Sequence, residues 1–509
     1  MTLHDEIPRV DPRSLPLFES RARRTAPHVV DDVAAGRPGR VRSSFGRHLV
    51  DATGPTVSPR ESALDWKLVA TLRSQASEQL TKALAEDRVT TDRPAQEALG
   101  RSIILELLEA MAAEAVTAGK PSWTLAEQDA LARAVFNALF RMGRLQPLIE
   151  DDRVENIIIT GHDHVWLELL DGNLIEGPPV ADSDQELIDF LAFLASRSEV
   201  SARPFSEAQP KLHLRLDDGS RLAATAWVTP RPSVVIRRHR LTHVSLDDLV
   251  GRGSLSPIAA SFLRAAVRGR LSIVVCGAQG FGKTTMARAL CGEFGRTEAI
   301  ATLETEYELG LHELPDRHAI VHAWEARTGS GERGPDGRVA GEFGISEALF
   351  DSFRFNVSRQ IVGEIRGGEV WQMIKAMESG SGSISTTHSA NARAAMRKLI
   401  TCAMESGPQI THELATLKLA ETIDLIVQLD MDSVEHPDGS VSRTRWVSEI
   451  VAITTGEKEK GYAATTVFDA ADGQLALAHT LPDELRRLER HGFDLSGFLA
   501  EARANGHLR

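Results

Sequence analysis

A chain of 509 residues, 42 % hydrophobic and 25 % charged, with a formal net charge of −13, is long enough for two or three domains, each with its own core. The acidic balance excludes a protein that coats nucleic acid non-specifically, and no direct nucleic-acid binding is expected. No run of about 18 consecutive apolar residues occurs, and "MTLHDEIPRV" lacks the apolar centre of a secretory signal, so a cytoplasmic location is expected.

Residues 1–60 carry ten Arg, no Lys and seven carboxylates, with several Pro and Gly. Little there is periodic, and the stretch reads as a disordered Arg/Pro/Gly-rich extension. Residues 61–150 read as a small helical bundle. "ALDWKLVATLRSQASEQLTKAL" and "AQEALGRSIILELLEAMAAEAV" carry apolar residues at helical spacing. Thr124 and Glu127 fit a capping box at the start of a third helix. Over 151–240 the period changes. "ENIIIT", "HVWLEL", "LHLRLD", "RLAATAW" and "SVVIRRH" are strand-like, "DQELIDFLAFLASR" is helical and "DDGSR" is a tight turn, which together predict an α+β domain. A linker over 241–256 is expected to follow.

Residues 257–455 alternate strand and helix. "LSIVV", "AIATLE", "HAIVHAW", "RQIVGEI" and "GSISTTH" are buried strands in pattern; "KTTMARALCGEF", "ISEALFDSFRF" and "EVWQMIKAMES" are helices between them. Repeated βα units predict an α/β fold, a parallel sheet with helices on both faces. "DLIVQLDM" and "TRWVSEIVAIT" flank the turn "HPDGS" as an antiparallel hairpin, and 456–509 reads as a C-terminal helical appendage. Cys276, Cys291 and Cys402 form no C-x-x-C pair and read as buried thiols.

The strongest chemical signal is "GAQGFGKTT", which matches the phosphate-cradling pattern G-x-x-x-x-G-K-[ST] between a strand and a helix. Backbone N–H groups of Gly277, Ala278, Gln279, Gly280, Phe281 and Gly282 are expected to converge on phosphate oxygens, helped by the helix dipole. Lys283 is expected to reach the β- and γ-phosphates, the Thr284 hydroxyl to ligate Mg²⁺, and Thr285 to complete the ATP-binding stretch. Such a loop needs an acid near Mg²⁺ and a group that orients water. Glu364 ends a buried strand, where nucleotide sites of parallel sheets lie. Glu304 ends another, followed by Glu306 and Glu308; three alternating acids also suit the wet face of a strand. His388, at the end of a polar strand, suits a γ-phosphate sensor or a hydrogen-bonded structural histidine.

The order "GAQGFGKTT", "TLETEYEL", "RQIVGEIRGGEVWQMIKAMESG" and "GSISTTHSANA" resembles the Walker A, Asp-box, Walker B and His-box succession of the type II/type IV secretion (traffic) ATPases. The helical preface, "GRLQPLIEDDRVENIIITGHDHVWLE", "DDGSRLAATA" and "SVVIRRH" resemble the tight-adherence pilus branch of that superfamily in particular. The resemblance implies a RecA-like P-loop core, with ATP and Mg²⁺ as cofactors. It implies that Glu364 is the Walker B acid near Mg²⁺, Glu304 the acid that polarises the attacking water, and His388 a γ-phosphate contact. Arg221 and Arg237 match the arginines of the N-terminal domain that close onto the γ-phosphate, a role suited to the planar guanidinium fork. It further implies a homo-hexameric motor ATPase at the inner face of the cell membrane, docked on a membrane platform protein and driving pilus assembly or secretion. A conjugation-type secretion ATPase and a nucleotide-binding scaffold with little hydrolysis are the alternatives.

Two stretches depart from the family pattern. Leu303-Glu304-Thr305 stands where two successive acids are usual, which makes Glu306 a rival to Glu304, and "RFNVSRQ" has neither the Pro nor the Asp often found before the Walker B strand. Nothing matches the cysteine-rich zinc insertion of type II members, and no zinc is expected.

Overall fold

Three amphipathic helices open the computed structural model, which describes residues 64–87, 92–119, 121–197, 205–238, 243–329, 339–437, 441–456, 461–470 and 474–507. The extension expected over 1–60, and 330–338 of a Gly-rich loop, lie outside these residues. Helices α1 (Trp66–Asp87), α2 (Arg93–Thr117) and α3 (Leu125–Phe140) close around Val69, Leu72, Ile104, Leu108, Leu131 and Val135. Thr124 and Glu127 form the reciprocal capping box anticipated for α3.

A short helix, α4 (Gln146–Glu150), leads into six strands: β1 (Val154–Thr160), β2 (His164–Leu169), β3 (Leu174–Gly177), β4 (Lys211–Arg215), β5 (Arg221–Thr225) and β6 (Ser233–Arg237). They form one antiparallel sheet in the order β3-β2-β1-β6-β5-β4. Period-two alternation turns Ile157, Ile159, Leu222, Ala224, Val234 and Ile236 inward, against Leu187 and Leu191 of α5 (Asp184–Arg197). The "DDGSR" turn joins β4 to β5, with the Ser220 N–H donating to Asp218 Oδ1 at 3.0 Å.

The stretch read as a linker is partly helical: α6 (Leu246–Gly251) starts at a Ser245–Asp248 capping box and buries Leu246 and Leu249. A cap three residues ahead of an acid is the helix-start signal that the linker reading overlooked. Helix α7 (Pro257–Arg268) then precedes β7 (Ile273–Gly277), α8 (Lys283–Cys291), β8 (Ala299–Glu304), β9 (Ile320–Glu325), the short pair β10 (Arg327–Thr328) and β11 (Glu342–Phe343), α9 (Ile345–Ser352), β12 (Arg359–Val362), β13 (Glu364–Ile365), α10 (Val370–Glu378), β14 (Ile384–His388), α11 (Ala392–Glu405), α12 (His412–Thr422), β15 (Leu425–Glu435), β16 (Val441–Thr455), β17 (Tyr462–Asp469), β18 (Leu477–Ala478) and α13 (Leu495–Ala504).

β9, β8 and β12 pair in parallel, as do β13, β14, β7 and β15. Gly363 joins the two groups. Its N–H donates to Leu303 O at 3.0 Å and its carbonyl accepts from the Thr386 N–H at 3.0 Å, so 359–365 hands its pairing from β8 to β14. Beyond β15 the sheet turns antiparallel through β16, β17 and β18. Successive residues of β7 face opposite layers. Ile273 and Val275 meet α7, α8 and α13; Val274 and Cys276 meet α10, α11 and α12. All three cysteines are free and buried.

The tail is therefore not purely helical. β17 and β18 continue the main sheet, so the boundary drawn at 455 falls between two paired strands. A 3₁₀ segment at Asp483–His491 and α13 then pack Leu485, Leu488 and Phe498 into the same core as β7. No helix among the described residues is long and apolar enough to cross a membrane.

Candidate nucleotide site

The parallel strands bring their C-terminal ends together, and these ends carry the polar residues. β7 is buried along its whole length and runs into the phosphate loop. Gly282 adopts φ 87° just before α8, a left-handed conformation that costs an L side chain 1–2 kcal/mol or so and costs glycine nothing. Lys283, the first residue of α8, is 8 % exposed. Its Nζ donates to Ala278 O at 2.9 Å and lies 3.1 Å from His388 Nδ1.

Register explains that neighbour: His388 of β14 pairs with Gly277 of β7, and Glu364 of β13 pairs with Thr386 of β14. His388 Nε2 lies 2.9 Å from Glu364 Oε1, and Arg366 Nε donates to Glu364 Oε2 at 2.8 Å. Burial, and then the Lys283 charge, hold the His388 pKa below its ordinary value. The neutral ring therefore accepts from Lys283 at Nδ1 and donates to Glu364 at Nε2. Burial also lowers the Lys283 pKa, opposed by Glu364 and Glu308.

Glu304 ends β8 and is 2 % exposed. Its Oε1 accepts the N–H groups of Glu308 and Leu309 at 2.8 and 2.9 Å. Its Oε2 has no hydrogen-bond partner among the described residues. Burial pushes this carboxyl up to about 7. The contact is close: a Cβ on Gly363 would stand 2.9 Å from Glu304 Cγ, so a glycine is required beside it.

After Glu304 the chain leaves the strand, so Glu306 and Glu308 do not continue a wet strand face. Glu306 is exposed, while Glu308 turns inward. Glu308 Oε2 accepts the Thr284 hydroxyl at 3.2 Å and Oε1 accepts Arg221 Nη1 at 2.7 Å. Arg221 also reaches Glu306 at 3.0 Å and the Tyr307 carbonyl. Burial pushes the Glu308 carboxyl up, but the Arg221 charge and hydrogen bond outweigh it and leave the pKa lowered. From the other side, Arg288 of α8 holds this loop through the carbonyls of Leu309, at 3.0 Å, and Glu308.

Thr284, Glu304, Glu306, Glu308, Glu364 and Thr386 are among the residues that line one small cavity. Among the described residues no group of three or more His, Cys, Asp or Glu is placed to hold a metal ion, so Mg²⁺, which commonly rests on one or two carboxylates with water and phosphate oxygens, would rely here on the Thr284 hydroxyl and a single nearby acid. Arg237, the other expected arginine, pairs with Arg221 across β6 and β5. It is exposed, with no hydrogen bond or ion pair among the described residues, and its charge contributes to lowering the Glu308 pKa.

Sequence reasoning did not single out Glu308, Arg288 or Arg445. Glu308 was readable only as a third acid in a run, because its approach to Thr284 depends on the chain leaving the strand after Glu304. The stretch "RFNVSRQ" has a structural reason of its own. It carries Arg359, 2 % exposed, whose Nε meets Glu298 at 2.7 Å and whose guanidinium lies over the Phe294 ring.

Sheet order and phosphate loop together define the class: a RecA-like P-loop ATPase core. A model of the type II/IV secretion system protein family matches residues 182–458, and the chain belongs to that family. It is similar to the probable conjugal transfer protein TrbB of Sinorhizobium fredii, 25 % identical over 55 % of this chain and 80 % of that protein. The type IV secretion system protein PtlH of Bordetella pertussis is 33 % identical over 36 % of this chain and 51 % of that one. Among solved structures, the ATPase DotB of Legionella pneumophila aligns with 61 % of this chain and 80 % of its own, at 20 % identity and a TM-score of 0.43.

Proposed function

We propose that this chain hydrolyses ATP as the motor subunit of a secretion, pilus-assembly or conjugation machine. The observation that carries the reading is the meeting of Lys283, Thr284, Glu304, Glu364 and His388 at the C-terminal ends of adjacent parallel strands. A phosphate-cradling loop faced by buried acids is built for positioning and charge stabilisation, which is what phosphoryl transfer needs.

In this reading the loop N–H groups from Gly277 to Thr285 hold the triphosphate. Lys283 leaves Ala278 O and turns to the β- and γ-phosphates. Thr284 and Glu364, with Glu308 beside them, are the residues that would hold Mg²⁺. The chemistry a divalent ion supplies at such a site is neutralisation of charge on the phosphate oxygens. Glu304 accepts a hydrogen bond from the attacking water at its unpartnered Oε2. His388 takes up a proton at the Nδ1 that Lys283 vacates and donates from it to a γ-phosphate oxygen. Arg221 leaves Glu306 and Glu308 for the same phosphate, and Arg237 joins it.

The 151–240 domain then moves against the ATPase domain, in a homo-hexamer docked on an inner-membrane platform protein. The similarity to a conjugal transfer protein keeps a conjugation-type machine as the second reading. Phosphate release by the purified chain tests the proposal. Lys283→Ala is expected to lower turnover by about a hundredfold or more, through loss of a contact strengthened in the transition state. A variant that keeps the parent rate would sink the reading.

A further inference from the structure

The site has a further cation that neither the motif nor the family roles assign. Arg445 lies on β16, far along the chain from the phosphate loop, yet its Nε donates to Gly280 O at 2.8 Å. The side chain also runs beside the loop's end: a Cβ on Gly282 would lie 3.7 Å from Arg445 Cδ. Arg445 is half-buried, and its two terminal nitrogens take no hydrogen bond among the described residues. A structural arginine at such a depth normally ends in a carboxylate or several carbonyls. Arg445 has one carbonyl, and that carbonyl belongs to the phosphate loop.

The strand that carries it is anchored at the N-terminal sheet. Two residues back, and hence on the same face of β16, Arg443 pairs with Glu168 of β2 at 3.1 Å. Another two residues back, the Val441 N–H donates to Asn173 Oδ1 at 3.1 Å. β16 is thus a strut. One end is pinned to the antiparallel sheet, and the other sets a positive charge against the loop's outer carbonyl.

We infer that Arg445 is a positioning residue for a bound nucleoside polyphosphate. It acts through Gly280 by fixing the loop with its N–H groups turned toward the phosphates, and by adding its charge to the loop's field. The Arg443–Glu168 pair sets the strut in place, so the state of the N-terminal sheet reaches the phosphate loop. The inference rests on the nucleotide reading above and adds a residue to it.

The test is the affinity of the full chain for ATP, ADP and adenosine, by calorimetry, with the parent, Arg445→Ala, Arg445→Lys, Arg443→Ala and Lys283→Ala. Arg445→Ala is expected to weaken ATP and ADP by about tenfold, the scale of one charge-assisted contact, and to leave adenosine unchanged. Arg445→Lys keeps the charge and is expected to recover most of that loss. Arg443→Ala is expected to weaken ATP in the same direction, and to add nothing in an Arg445→Ala background because both act through one strand. Parent-like ATP affinity in Arg445→Ala overturns the inference, as does an equal loss for adenosine, which signals general damage to the site. If Lys283→Ala also keeps parent affinity, the nucleotide reading itself fails; if it does not, only the role of Arg445 falls.

Discussion

Arg221 donates to Glu308 at 2.7 Å, and the partnership spans 87 positions of sequence to tie the antiparallel sheet to the loop after β8. Glu308 also takes the Thr284 hydroxyl, so one carboxylate joins a sheet strand to the phosphate helix. In the proposed mechanism this is the resting partner that Arg221 gives up for a phosphate. Arg221→Ala is then expected to lower turnover by about tenfold or more with ADP affinity little changed. Arg221→Lys keeps the charge but not the bidentate fork, and is expected to recover only part. Steady-state rates with ADP titrations check this. Equal rates in the parent and the alanine variant would show that the latch is structural alone.

The buried carboxyl of Glu304 makes a pH prediction with a definite sign. Burial raises it to about 7 from 4.5, so the folded chain keeps a proton that the unfolded chain has already lost over that interval. Stability is therefore expected to fall as pH rises from about 4.5 to about 7 and then to level off. The full effect is about 3 kcal/mol at most, from the energy of a pKa shift. Glu304→Gln removes the charge, so its melting temperature is expected to gain on the parent as pH rises through that window. Turnover runs the other way. If ionised Glu304 orients water, the parent rate climbs with pH through about 7. A gap in melting temperature that does not change with pH would remove this carboxyl from the titration.

Assembly offers an independent check of the motor reading. A ring of identical head-to-tail interfaces leaves no free surface at its ends and suits a motor that works by domain closure. Light scattering across protein concentration, with and without a non-hydrolysable ATP analogue, is expected to reveal a hexamer favoured by nucleotide. A monomer under every condition would count against it.

The legible parts were those in which one local pattern decides the outcome. Alternation in "ENIIIT" and "SVVIRRH" gave paired β1 and β6; the spacing of Thr124 and Glu127 gave a real capping box; the phosphate loop gave the strand-to-helix turn. What stayed hidden depends on distance or on where a strand stops. Glu304 and Glu306 are equivalent in an alternating run, and only the end of β8 at Glu304 separates the buried acid from the exposed one. Arg445 has no local signal at all, because β16 reaches the loop through the antiparallel half of the sheet. α11 and α12 begin at ordinary helix caps, Asn391 and Thr411, and were legible in principle from those caps alone.

Three of the four acids that line the cavity are expected to separate by their metal dependence. Glu364 holds His388 and Arg366 and opens onto the shared cavity with Thr284. Glu364→Gln removes a charge beside the proposed Mg²⁺ position, and is expected to raise the Mg²⁺ concentration needed for half-maximal turnover as well as to lower the rate. Glu304 takes its two hydrogen bonds from backbone N–H groups, its other oxygen is buried without a partner among the described residues, and the residue lines the cavity. Glu304→Gln keeps an oxygen for those N–H groups, so ATP and Mg²⁺ affinity are expected to stay near the parent while turnover falls by about a hundredfold. Glu308→Gln weakens the grip on Arg221 and Thr284, and is expected to change Mg²⁺ dependence and the response to Arg221→Ala together. The two should be non-additive, because the residues touch. Glu306→Gln serves as the exposed comparison, and its turnover is expected to match the parent. One turnover assay across Mg²⁺ concentrations, with a nucleotide-binding control, covers all four. If only Glu306→Gln loses activity, the water-orienting role moves two residues along. If Glu304→Gln and Glu306→Gln are both parent-like while Lys283→Ala is dead, the loop after β8 only holds the structure and Glu364 serves alone.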